Sequence, residues 1–193
     1  MESGKSKSFG ISLQAQDKYI LENLRALLGS NNKLKFRERK HVILSNKKGS
    51  ICKSYTLRIS CNEIYNDLIF HNILPRKTYI DRFPIVSDNL FFDFLRGYID
   101  GDGYICCSNN AIMVGLVSYN KDVLKYIQDK LLKFDISSKI YLENRENSHI
   151  YRFQCYKTKD VKKILDYLYQ DENCLKLYRK YQKYKSFYNG SPI

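Results

Sequence analysis

The feature that most limits what this chain can fold into is a recurrence. Leu74-Pro-Arg-Lys77 returns as Leu177-Tyr-Arg-Lys180, and Ile20-Leu21 returns as Val123-Leu124, both at a shift of about 103 residues. A repeat of that length is of ordinary domain size, so the 193 residues divide into two α+β half-domains, 1–88 and 89–193. The elements around the anchors follow one order in both halves. In the first, Phe9 to Leu13 alternates as a short strand. A helix opening at Gln16-Asp17 places Ile20, Leu21, Leu24, Leu27 and Leu28 on one face and is stopped by Gly29-Ser-Asn-Asn32. Strands at Lys33 to Leu44 and Lys53 to Ser60 flank a turn-rich stretch, and Asn62 caps a helix that ends near Leu74-Pro75. In the second half the order is a strand in Ala111 to Val117, a helix from Lys121, strands at Lys139 to Asn144 and Ile150 to Tyr156, and a helix from Thr158.

Between the halves lies Phe94-Leu-Arg-Gly-Tyr-Ile-Asp-Gly-Asp-Gly-Tyr-Ile105. Leu90 to Ile99 is apolar almost all round, which predicts a helix buried between other elements. Gly97 inside it costs roughly 1 kcal/mol against alanine. With Gly101 it forms the G-x-x-x-G spacing that lets two helices touch through their main chains. Asp100 and Asp102 then fall at the C-terminal end, where unpaired carbonyls and the helix dipole already make the field negative. A hard divalent cation such as Mg²⁺, bound by a carboxylate and a backbone carbonyl, would relieve that conflict. Solvated aspartates in a glycine-rich turn are the plainer reading of the same residues. An EF-hand loop is excluded, because starting it at Asp100 puts Ile105 where glycine is required and Ala111 where the bidentate glutamate belongs.

The charge narrows the class of partner. Thirty-three Lys and Arg against twenty Asp and Glu give +13, with an apolar content of 44% that is globular and not that of a disordered basic tail. A polyanion is the expected partner. No apolar run approaches the length of a membrane span, and the N-terminus lacks the core of a secretory signal. Six cysteines include no C-x-x-C pair, so zinc is not expected, and an intracellular location in bacterial or phage-infected cytoplasm or an organelle is.

Leu95-Arg-Gly97-Tyr-Ile-Asp100-Gly-Asp102-Gly103 resembles the LAGLIDADG motif of homing endonucleases, and the duplicated element order and basic charge extend the resemblance over nearly the whole chain. The resemblance implies a pseudo-two-fold α+β fold, a saddle of antiparallel sheet backed by helices, in which each motif helix packs on a twin. It implies Asp102 and the Gly101 carbonyl as ligands of Mg²⁺ or Mn²⁺, with Lys77 and Lys180 near the reacting phosphates. Gly97 and Gly101 would bring the helix pair close. The implied activity is site-specific hydrolysis of double-stranded DNA at a long recognition site. The alternative is a non-cleaving derivative such as an intron-splicing maturase, with intron RNA as partner. A basic protein of ribosomal or regulatory type is a third possibility.

Strand alternation supplies the expected nucleic-acid face. Lys33, Lys35, Arg37 and Arg39 share one side against Leu34 and Phe36, and Ser54, Thr56 and Arg58 oppose Tyr55, Leu57 and Ile59. In the second half Lys139, Tyr141 and Arg145, with Arg152 and Gln154, stand opposite Ile140, Leu142 and Phe153. Such a face suits a sheet in the major groove, though any solvated sheet is polar outside.

The N-terminal repeat lacks its motif. Shifting Asp102 back by one repeat lands about one residue before Met1, so the twin would end where this chain begins. The full form is expected to be a monomer of two repeats, and this chain is expected to pair with the missing segment.

Overall fold

The computed structural model describes residues 7–41, 50–74, 84, 86–108, 111–145 and 148–190, and the chain divides into two units, Met1–Phe70 and His71–Ile193. The first unit runs β1 (Ser8–Gln14), a 3-10 turn, α1 (Lys18–Leu27), β2 (Lys35–His41), β3 (Ser50–Ser60) and α2 (Asn62–Phe70). Its sheet is antiparallel in the order β1-β3-β2. Period-two alternation turns Leu57 and Ile59 inward against Leu21 of α1, with Phe9, Ile11, Leu13 and Leu24 closing a small core. Helix α1 ends on Gly29 at φ 58, with the Ser30 N–H donating to the Arg25 carbonyl and the Gly29 N–H to that of Ala26. That is the left-handed cap for which glycine is suited.

The second unit runs α3 (Phe91–Asp102), β4 (Tyr104–Ser108), β5 (Ala111–Ser118), α4 (Lys121–Leu132), β6 (Lys139–Arg145), β7 (Ser148–Cys155), α5 (Thr158–Leu168) and α6 (Tyr178–Asn189). Its antiparallel sheet has the order β4-β5-β7-β6. Asn120 caps α4, its side chain accepting from the N–H groups of Asp122 and Val123. Val123, Leu124, Ile127 and Leu131 then fall on the buried stripe. Helices α3, α4 and α5 pack these and similar residues onto Ile112, Val114, Leu116 and Phe153, while Val161, Ile164, Leu165 and Leu168 complete the core.

The duplication is visible inside each unit. The series β5-α4-β6-β7-α5 repeats β1-α1-β2-β3-α2, and β5-β7-β6 repeats the sheet order β1-β3-β2. Register agrees as well: Ile11 faces Leu57 and Leu13 faces Tyr55, as Val114 faces Cys155 and Leu116 faces Phe153. Helix α4 even ends as α1 does, with Asp135 at φ 54 and the Ile136 N–H on the Leu131 carbonyl.

Some expectations need correction. Strand β4 has no counterpart in the sequence reading, because Tyr104-Ile-Cys-Cys-Ser108 is short and follows directly on the motif. Helix α2 stops at Phe70, before Leu74, and β2 starts at Lys35, leaving Lys33 and Leu34 ahead of the strand. Helix α3 is not buried all round within its unit. It buries Phe91, Leu95, Ile99 and Asp100 and leaves Gly97, Gly101 and Asp102 exposed.

Candidate functional site

The motif helix α3 is fixed at its C-terminal end by three of its own or its neighbours' polar side chains. Arg96 donates from Nε to the Leu175 carbonyl at 3.0 Å and from Nη1 to that of Leu168 at 3.1 Å, while Nη2 meets Asp93 at 2.6 Å. Asp100 accepts the Leu177 N–H at 2.9 Å and faces the Tyr169 hydroxyl at 3.4 Å. Burial pushes the Asp100 carboxyl above the usual range, with the Leu177 N–H and the charges of Lys180 and Arg96 pulling the other way. Lys180 of α6 is buried, and its ammonium donates to the carbonyls of Ile99 at 2.5 Å, Asp100 at 2.8 Å and Gly103 at 2.7 Å. A cation on the last turn answers both the unpaired carbonyls and the dipole of α3.

Lys180 directs its ammonium at three main-chain oxygens. Its ammonium caps the end of the motif helix, on main-chain oxygens that bracket Gly101 and Asp102. Lys77 lies outside the described residues. Asp102 ends α3 with an exposed side chain, and the Gly101 carbonyl is not among those Lys180 takes. An added Cβ at Gly97 or Gly101 would meet nothing within 4 Å, so the small-residue face of α3 is open within its unit.

A metal at this end of α3 would find oxygen donors only, one carboxylate and one carbonyl. That set suits a hard divalent ion that keeps most of its water, such as Mg²⁺ or Mn²⁺. Among the described residues no group of three or more His, Cys, Asp or Glu is placed to hold a metal.

The outward faces of the two sheets carry most of the other expected residues. In the first unit Ser54, Thr56 and Arg58 face away from Leu57 and Ile59, in register with Gln14, Ser12 and Gly10 of β1. Lys35 pairs with Thr56, Arg37 with Ser54 and Arg39 with Cys52, all three basic side chains being exposed. The Ser12 and Thr56 hydroxyls share a hydrogen bond at 2.7 Å. Lys33 is exposed ahead of β2. In the second unit Lys139 pairs with Gln154 and Tyr141 with Arg152 on the outward side. Lys139 lies 5.4 Å from the Tyr156 ring, and its hydrogen bond to that phenol holds the ammonium above its ordinary pKa. Arg145 closes β6.

Sequence reasoning missed Arg96, Tyr104 and Glu143. The last two both engage Arg152, Glu143 at 2.6 Å and the Tyr104 hydroxyl at 3.4 Å. A basic or aromatic residue at such positions carries no local signal, since its partners come from other strands or from segments 72 to 79 residues away.

This architecture is the fold of LAGLIDADG homing endonucleases. I-DmoI in complex with DNA and Ca superposes with a TM-score of 0.57 at 13% identity, over 98% of this chain and 87% of that one. I-WcaI bound to its DNA recognition sequence gives 0.57 at 14% identity, over 95% and 77%. The N-terminal LAGLIDADG domain of DUF199/WhiA gives 0.50 at 18% identity, over 87% and 73%, so the fold is not confined to proteins named as endonucleases. Residues 91–169, from the first turn of α3 to the end of α5, match the family described as LAGLIDADG-like domain. A probable translation initiation factor IF-2 of Methanocaldococcus jannaschii is 38% identical over 72 residues, which is 37% of this chain and only 6% of that protein. No described helix is long and apolar enough to cross a membrane.

Proposed function

We propose that this chain acts on double-stranded DNA as a divalent-metal-dependent, site-specific endonuclease of the homing type. The observation that carries the reading is Asp102: an exposed carboxylate at the end of a helix whose neighbouring carbonyls are already neutralised by Lys180. The outward faces of both sheets supply the binding surface, with Lys33, Lys35, Arg37, Arg39 and Lys139 suited to phosphates. Ser54, Thr56, Arg58, Tyr141, Arg145, Arg152 and Gln154 are suited to base edges along a long site.

In this reading Asp102 and the Gly101 carbonyl hold the metal and Lys180 fixes the turn that presents them. Gly97 and Gly101 admit a twin motif helix, which brings the second carboxylate needed to cut the second strand. Lys77 steadies charge from the segment that the repeat pairs with 180. When bound, a divalent ion would polarise the scissile phosphate and make water a better nucleophile at neutral pH. The protein's part is to orient the phosphate and to hold Asp102 in place.

A second reading, a nucleic-acid-binding derivative that does not cut and takes DNA or intron RNA, draws support from one observation. Lys180 directs its ammonium at main-chain carbonyls at the end of α3. Supercoiled plasmid carrying the native flanking DNA, incubated with Mg²⁺, Mn²⁺ or Ca²⁺, separates the two. Linear product with Mg²⁺ and none for Asp102→Asn supports the endonuclease. Binding without product in any metal supports the second reading, and cleavage that survives Asp102→Asn overturns the site.

A further inference from the structure

The outward face of the second sheet is locally organised. Tyr104 on the edge strand β4 pairs with Gly115 of β5, and Gly115 with Gln154 of β7, so the three form one row across the sheet. The Tyr104 ring lies over Gly115, where a Cβ would fall 2.3 Å from Cζ and 2.4 Å from the hydroxyl oxygen. Any side chain at 115 would displace the phenol. From this seat the hydroxyl accepts from Gln154 Nε2 at 2.9 Å and from Arg152 Nη1 at 3.4 Å. Arg152 is held from its other side by Glu143, whose Oε2 accepts from Nε at 3.0 Å and Nη2 at 2.6 Å. Its guanidinium carbon also lies 5.8 Å from the Tyr104 ring centroid.

A carboxylate on a surface meant for a polyanion is unfavourable unless it does something for a neighbour. Here it freezes an arginine that remains 31% exposed. A guanidinium has five N–H donors, of which three are engaged, leaving one on each terminal nitrogen. Two donors are what the O6 and N7 acceptors of guanine take in the major groove. Gln154 keeps one amide N–H and its carbonyl, the pair that an adenine edge requires. Side chains held in this way lose little rotamer freedom on binding.

We infer that Tyr104 and Glu143 are positioning residues that set Arg152 to read a guanine and Gln154 to read an adjoining base, with Gly115 as the seat of the Tyr104 ring. The inference rests on the DNA-binding reading above. Duplexes enriched by the full chain from a randomised pool, at two salt concentrations, test it. The wild type should show a guanine preference of about tenfold at one position, and Arg152→Lys should remove it there alone. Tyr104→Phe keeps the ring over Gly115 and removes only the acceptor. It should reduce the same preference to about twofold while the salt dependence of binding, which reports phosphate contacts, stays that of the wild type. Glu143→Gln should also flatten it, while non-specific binding tightens and grows more salt-dependent, because one negative charge has gone. Variant preferences identical to the wild type's would overturn this inference and leave DNA binding standing. Failure of the wild type to bind duplex in a salt-dependent way would overturn both.

Discussion

The Lys180 ammonium lies 2.8 Å from the carbonyl oxygen of Asp100, whose carboxylate in turn accepts the Leu177 N–H at 2.9 Å. Helix α6 and the last turn of α3 are therefore tied in both directions, charge to carbonyl and carbonyl-bearing residue back to main chain. Lys180→Met should lower stability by about 2–4 kcal/mol, since it takes the ammonium from three main-chain oxygens, of which that of Ile99 keeps an N–H partner, from Gly103. Urea unfolding of the two proteins measures this. A variant that unfolds like the wild type yet loses cleavage would mean that the ammonium acts on the phosphate after all.

Asp100 makes a prediction with a sign. Burial raises its folded pKa above 3.8, so the folded state binds this proton more readily than the unfolded chain. The stability it contributes is fully present below the unfolded value and is lost as pH rises through the folded one. Asp100→Asn does not titrate and keeps an acceptor for the Leu177 N–H. Wild-type stability relative to this variant should fall as pH is raised from about 3 to 7 and then level off. Asp100→Leu, which orphans that N–H, should cost about 1–3 kcal/mol at every pH. Unfolding curves across the range would show a rising difference if the carboxyl were held low instead.

The strands of the outward faces could be read in advance because a period of two assigns a side to every residue once one side is apolar. Leu57 and Ile59 alone place Ser54, Thr56 and Arg58. The duplication was equally legible, because order and length survive even where residues do not. The fastening of α3 was not: Arg96, Asp100 and Lys180 find their partners in main-chain atoms about seventy or eighty residues distant, and a carbonyl leaves no mark in a sequence. Gly115 reads as one more member of an apolar run until Tyr104 is seen to occupy the place of its side chain.

Asp102→Asn separates chemistry from folding. The side chain is exposed at the end of α3, so the melting temperature should correspond to a change within about 0.5 kcal/mol. Mg²⁺-dependent cleavage should fall below detection while binding in Ca²⁺ is kept. Loss of binding together with cleavage would place Asp102 in the fold or in the DNA contact and remove it from the metal site.

Cys155 should be chemically silent. It is fully buried, its thiol donates to the Ser137 carbonyl at 3.3 Å, and burial with a contribution from Asp160 pushes its pKa up to about 12. At pH 8 only about one thiol in ten thousand would be ionised. Iodoacetamide should label exposed Cys52 and Cys106 first, with Cys155 modified only as urea unfolds the protein. Mass mapping of the labelled peptides decides it, and early labelling of Cys155 would mean that β7 opens readily to solvent.

The glycines of the motif should behave oppositely although they are neighbours. An added Cβ at Gly103 would lie 2.7 Å from Ile99 Cα and 2.9 Å from the Gly115 carbonyl oxygen, both backbone atoms that cannot step aside cheaply. Gly103→Ala should cost about 1–3 kcal/mol. At Gly97 the same atom meets nothing within 4 Å, and the residue is mid-helix and exposed, so Gly97→Ala should stabilise the unit by up to about 1 kcal/mol. If that face receives a second motif helix through close main-chain contact, the more stable variant should be the poorer nuclease. Thermal melts beside cleavage assays expose the trade. A Gly97→Ala protein that melts higher and cuts as well as the wild type would show that no helix packs through this face.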